Sequence, residues 1–268
     1  MNRMTITGLQ VLVAIALFVF WHFGTTIPVW QDGSTLIDPF FFSTPVSVIE
    51  RTIDDFVSGS VWKHLYITLL ETVLAFVIGS FGGVVIGFWF ARQDIISDVF
   101  GPYLKAVNSM PRVVLAPIFA LWFGLGIWSK VALGFTLVFF VVFFNVYQGV
   151  KEVSPTVLAN ARILGMNDRQ LLRHVYLPSA LSWVFSSLHT SVGFALVGAV
   201  VGEYLGSSAG LGYRISQAEG VFDVTGVFSG MLILMVFVVL IDFAVSLIEE
   251  RLIAWKPPVN TKTASAQA

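Results

Sequence analysis

What most restricts this chain is a series of apolar stretches, each long enough to cross a bilayer. They run over about residues 8–23, 65–90, 103–123, 131–147, 180–201 and 224–248. A hydrocarbon layer of about 30 Å takes about 20 helical residues, so the chain reads as an all-α membrane protein of six transmembrane helices. Composition agrees: 56% of residues are apolar and 12% charged, against about 25% charged in an average soluble domain. An ordinary soluble enzyme is excluded. A formal net charge of -1 offers no basic field for nucleic acid. With no cysteine, disulfides, haem thioethers, iron–sulfur clusters and thiolate zinc sites are excluded as well.

The first stretch, VLVAIALFVF behind Arg3, has the length of a signal peptide, but the WHFGTTIPVW that follows offers no small-residue cleavage site. It is read as an uncleaved helix. Six spans put both termini on one side, and the loop charges choose that side. Arg3, Arg92, Lys151, Arg162, Arg169, Arg173, Arg251, Lys256 and Lys262 share it, against Arg51, Lys63, Lys130 and Arg214 on the other. Both termini are therefore expected in the cytoplasm.

Between the first two spans, residues 24–64 form the long outer loop. Here Thr44 can cap a helix opened by Pro45, with Val46, Ile49, Ile53 and Phe56 on one face and Asp54 and Asp55 facing water. The expectation is an amphipathic helix on the outer membrane surface, acting as a brace.

The longest cytoplasmic segment, KEVSPTVLANARILGMNDRQLLRHVYLPSA, occupies residues 151–180 and reads as two short helices. Ser154 and Pro155 can open the first, and Gly165 can end it in the left-handed conformation. Asn167 and Gln170 fit a capping box that opens the second. Small Ala159 and Ala161 with a basic flank of Arg162, Arg169 and Arg173 suit two roles equally: a knob docked in the groove of a soluble partner, or a helix on an anionic lipid surface.

This segment is similar to the EAA loop of permease subunits of binding-protein-dependent ABC importers. NSMPRVVLAPIFALWFGLGIWSK (108–130), VGEYLGSSAGLGYRI (201–215) and the stretch 228–257 resemble the nitrate, sulfonate and taurine permeases. The resemblance covers residues 62–257. It implies a type I importer fold: a first helix and periplasmic loop (1–64), a five-helix core (65–257) with a coupling loop at 151–178, and a flexible tail (258–268). It further implies a second permease copy, two cytoplasmic ATPase subunits, a periplasmic or lipid-anchored binding protein, and a bacterial inner membrane as the location. Coupling to the ATPase falls on Leu158, Ala159, Asn160, Ala161, Arg162, Leu164, Gly165 and Met166. The chain departs from the family pattern where Glu-Ala-Ala is usual, with Ala159-Asn160-Ala161 instead. It also has no G-x-x-x-x-G-K-[ST] and so cannot bind ATP by a P-loop; the resemblance implies no cofactor in this chain, with ATP and its magnesium bound by the partner ATPase.

Charged groups inside a membrane need partners or water, which draws notice to Glu71, Glu203 and Asp242. Asp242 is read as a member of a helix-packing ion pair. Candidates for a solute path are Asn108, Ser109 and Arg112 around Pro111, then Asn145, Ser186, Ser187, His189 and Glu203; Lys105 ranks below them. A cationic Arg112 facing water would attract a small anion such as nitrate or a sulfonate. The same resemblance admits a pyrimidine-like vitamin precursor or riboflavin. Gly79, Gly83 and Gly87 place bare backbone on one face of the second span, expected to pack within the subunit. The glycines from 202 to 212 resemble the family's external gate. A secondary transporter or channel is the rival class, disfavoured by the absence of an inverted repeat. His22, His64, His174 and His189 are too scattered for an intramembrane enzyme.

Overall fold

The computed structural model describes residues 3–29 and 33–252, and these are helical with short connections. In order come α1 (Arg3–Thr26), α2 (Pro39–Phe42), α3 (Pro45–Val57), α4 (Trp62–Arg92), α5 (Asp94–Ser109), α6 (Ala116–Phe123) and α7 (Ile127–Lys151). They are followed by α8 (Pro155–Ile163), α9 (Asp168–Leu171), α10 (Leu177–Leu205), α11 (Leu211–Gly220) and α12 (Val224–Leu252). The tail at 258–268, Lys256 and Lys262 lie outside the described residues.

Among the described residues, α1, α4, α7, α10 and α12 are each long and apolar enough to cross a membrane. The third expected span is not one helix. It is α5 followed by a 3-10 turn at Arg112–Leu115 and by α6, bent by 86° at the break. The cause is local: proline disfavours helical backbone in the residue before it, and Met110 before Pro111 is extended at φ -70°, ψ 135°.

α4, α7 and α10 form the centre. In lipid no hydrophobic effect drives helices together, so close contact must come from small residues. A Cβ on Gly79 would lie 2.8 Å from the Val138 Cβ, one on Gly83 2.8 Å from the Val142 Cβ, and one on Gly87 2.8 Å from the Phe143 carbonyl oxygen. The glycine stripe therefore packs α4 on α7 within the subunit. Ala75, Val138, Val142, Val146 and Ala195 are fully buried along this seam. α1, by contrast, lies outside this core, with its side chains largely exposed.

The bundle has two ends. The loop end carries α8, α9 and the junction of α4 with α5, where Lys151 meets Asp94 at 2.6 Å. The cap end carries α3 and α11. α3 forms where expected, with the Thr44 Oγ1 accepting from the Ser47 N–H at 3.2 Å. Its Asp55, however, does not face water. It is buried, paired with Arg214 of α11 at 2.5 Å and bonded by Ser60 and Ser229, because α3 packs on α12 instead of lying free on a membrane surface.

Candidate functional site

At the loop end, α8 stands beyond the bundle on a firmly built support. Ala161 is buried and Leu158 and Met166 half-buried; Ala159, Asn160, Arg162, Leu164 and Gly165 are exposed. Gly165 adopts φ +80°. The Met166 N–H donates to the Ala161 carbonyl at 3.1 Å and the Gly165 N–H to the Arg162 carbonyl at 3.0 Å, the two bonds of a Schellman ending. Ser154 gives α8 no side-chain cap, contrary to expectation. The capping box is present: Asn167 accepts from the Gln170 N–H and Gln170 from the Asn167 N–H, both at 2.9 Å. α9 then runs through a π-helical turn at Leu172–Tyr176 directly into α10. The result is a protrusion whose tip leaves Ile163 83% and Leu164 78% exposed.

The break in the third span brings Asn108 and Arg112 together. The Arg112 Nη2 donates to the Asn108 carbonyl at 3.0 Å and to its side-chain Oδ1, while the guanidinium lies 5.0 Å from the centre of the Phe140 ring on α7. Its Nε is buried and makes no hydrogen bond. Among the described residues Arg112 joins no ion pair. Ser109 bonds the Ala106 carbonyl in its own helix, and Asn145 bonds Val141 in its own helix. The His189 Nε2 of α10 faces the Asp242 carboxyl of α12 at 3.8 Å, with both side chains partly exposed. Lys105 lies on the rim of a cavity of about 470 Å³ with an aromatic wall of Phe90, Phe143, Phe144 and Tyr147. The path candidates thus fall at separate places on one chain.

Glu203 belongs to a third group, at the cap end. Its carboxyl accepts from the Thr68 hydroxyl at 2.6 Å and from the Gly212 N–H in the first turn of α11 at 2.8 Å. The Leu211 N–H donates to the Thr68 Oγ1 at 2.9 Å, and the Gly210 N–H to the His64 Nδ1 at 3.0 Å. Gly210, at φ +115°, has no room for a Cβ against the Glu203 carboxyl. Beside this clamp lie Glu71, with no exposed surface, and Lys130, 1% exposed. Lys130 had counted as a loop charge; it sits instead inside α7, its Nζ donating to the Leu125 carbonyl at 2.7 Å and the Gly126 carbonyl at 3.1 Å. The signal for this lay in SKVALGF, a lysine at the mouth of an apolar run. Among the described residues no group of three or more His, Asp or Glu side chains is placed to hold a metal ion.

Against known families, residues 79–254 match the model of the binding-protein-dependent transport system inner membrane component. The chain belongs to this family. It is therefore an ABC-importer permease, a transport subunit of the inner membrane. The formylaminopyrimidine transport permease of Halalkalibacterium halodurans is 33% identical to it over 230 residues, covering 85% of this chain and 91% of the relative. A putative aliphatic sulfonates transport permease of Bacillus subtilis is 30% identical over 243 residues, 88% of each chain. In structure, the permease is similar to a chain of the MetNI methionine ABC transporter in an inward-facing conformation, with a TM-score of 0.56 at 20% identity over 71% of this chain and 93% of that one. That likeness supports the helical fold.

Proposed function

We propose that this permease forms, with a second copy, the path of an importer for a small anionic solute of the nitrate, sulfonate or taurine class. Two separate ATPase subunits drive it and a periplasmic binding protein supplies it. In this reading the loop end is cytoplasmic and the cap end periplasmic, and both termini lie in the cytoplasm, as the loop charges suggest. The observation that carries the reading is the protruding α8. It is held by a Schellman ending and a capping box on one side and by buried Ala161 on the other, with Ile163 and Leu164 uncovered. A rigid helix of this kind transmits movement into α7 and α10 when an ATPase closes around it. The name-giving glutamate is absent, so contact rests on apolar Ile163 and Leu164 with Arg162 as the ionic partner.

For the solute, Arg112 supports an anion. It carries a full positive charge at the break of a membrane helix, free of any described ion pair, and is held in place by Asn108 and Phe140. A pyrimidine-like vitamin precursor is the second reading, favoured by the 33% identity to a formylaminopyrimidine permease. Uptake of labelled taurine, nitrate and formylaminopyrimidine into vesicles carrying the whole complex separates the two. The proposal expects the anions to be taken up in an ATP-dependent way, and exclusive uptake of the pyrimidine would replace it with the second reading.

A further inference from the structure

At the loop end a cavity of about 470 Å³ opens between α5 and the C-terminal parts of α4 and α7. Small-molecule sites occupy about 300–1,000 Å³, so this one has room for a ligand. Two contacts join α5 to α7 beside it: Lys151 meets Asp94 at 2.6 Å, and the Ser97 and Tyr147 hydroxyls lie 2.5 Å apart. Along α5 the lining residues Asp98, Gly101, Pro102 and Lys105 follow the spacing i, i+3, i+4, i+7 of a single helix face. Phe90 of α4 with Phe143 and Phe144 of α7 supplies an aromatic wall.

The α5 face therefore carries opposite charges two turns apart, about 10 Å along the axis. Neither is used: among the described residues Asp98 and Lys105 join no ion pair, and Lys151, close to Asp98, is taken by Asp94. Two more polar groups are spare. Pro102 has no N–H, so the Asp98 carbonyl lacks its helical donor. The Ser97–Tyr147 bond consumes one hydroxyl proton and leaves the other to donate. A simple anion in this cavity would meet Asp98, and a simple cation would meet Lys105. A molecule bearing both charges satisfies both.

We propose that this cavity binds a zwitterion in which an ammonium and an oxyanion are joined by a short chain. The ammonium lies against Asp98 and the aromatic wall, where carboxylate attraction and cation–π attraction add; the oxyanion takes a charge-assisted hydrogen bond from Lys105; the chain between them crosses Gly101. The phosphoethanolamine head of a membrane lipid and a free aminosulfonate both have this chemistry. The bound molecule bridges α5 to α4 and α7 at the start of the broken span. This site does not depend on which solute the permease carries.

The test uses the full-length permease purified in mild detergent with its partners. Calorimetric titration with taurine, propylamine and propanesulfonate compares a zwitterion with each of its halves, and native mass spectrometry reads retained phosphatidylethanolamine against phosphatidylglycerol. No neighbouring helix lies within 4 Å of a Cβ built on Gly101, so Gly101→Trp is expected to fill the cavity with an unchanged unfolding temperature. Taurine bound at least tenfold more tightly than either half identifies a free zwitterion as the occupant. Phosphatidylethanolamine retained in excess over Gly101→Trp, with no such excess of phosphatidylglycerol, identifies the lipid head. In either case Asp98→Asn and Lys105→Met are each expected to weaken binding about tenfold, the scale of one hydrogen bond to a charged group, and Gly101→Trp to abolish it. Taurine binding that survives Gly101→Trp belongs elsewhere and overturns the site, as does a protein that neither prefers taurine to its halves nor retains the lipid.

Discussion

Arg214 of α11 donates to Asp55 of α3 at 2.5 Å, with the two side chains only 21% and 10% exposed. This pair joins the helix after the fifth long apolar stretch to the one before the second, and the Ser229 hydroxyl of α12 adds a third element to the same carboxyl. Removing one partner strands a charge, at a cost of about 3–5 kcal/mol for a fully buried pair; partial exposure places this one at or below the lower end. Asp55→Ala is expected to lower the thermal unfolding temperature in detergent. The double variant Asp55→Ala/Arg214→Ala is expected to lose less than the sum of the two single changes. Strict additivity would show that the two groups do not act together.

Gly165 leaves α8 at φ +80°, where a side chain costs about 1–2 kcal/mol. No atom outside its own chain neighbours lies within 4 Å of a Cβ built there, so Gly165→Trp is expected to insert normally into membranes. Its bulk and strain at the end of the protrusion are expected to abolish co-purification of the ATPase. Normal co-purification would take Gly165 out of the contact.

Gly83 tests the helix seam. A Cβ there would come within 2.8 Å of Val142 and 2.9 Å of the Phe139 carbonyl, and neither α4 nor α7 can yield without disturbing its own ladder. Gly83→Leu is expected to cost about 1–3 kcal/mol by overpacking, seen as reduced yield of folded protein and a lower unfolding temperature. The same change at Gly193, which has open space around it, is expected to be nearly neutral, and equal effects at the two sites would refute the seam.

Arg112→Ala is expected to leave assembly intact and to reduce anion uptake about tenfold or more, the worth of one charge-assisted hydrogen bond. Loss of the Phe140 contact alone would instead lower stability. Full uptake with normal stability would remove Arg112 from the path.

Much of this molecule was legible in its hydropathy. Five apolar stretches became single helices, and the caps at Thr44 and Asn167 formed as their local hydrogen-bonding chemistry requires. What escaped is tertiary. Pro111 pointed to a freed carbonyl, but an 86° turn depends on how α5 and α6 pack and not on proline alone. Asp55 looks solvated by its place on an amphipathic helix, yet its partner Arg214 lies 159 residues away. Lys130 reads as an interfacial charge because nothing near it in sequence announces Glu71 or Glu203. Asn108 and Arg112 could be paired from their spacing of one helical turn; that Phe140 would stack on the arginine could not.

The central claim is that α8 carries the force of a separate ATPase into this permease. The most direct measurement is ATP hydrolysis by the complex purified in mild detergent, compared with one carrying Leu164→Asp. Leu164 is 78% exposed, so the change leaves the fold intact. The account predicts an ATPase partner in equal number to the permease, retained by the wild type and lost with Leu164→Asp, together with loss of ATP-dependent uptake. A homo-oligomer that moves solute in vesicles without an ATPase, and does so equally well with Leu164→Asp, would contradict it.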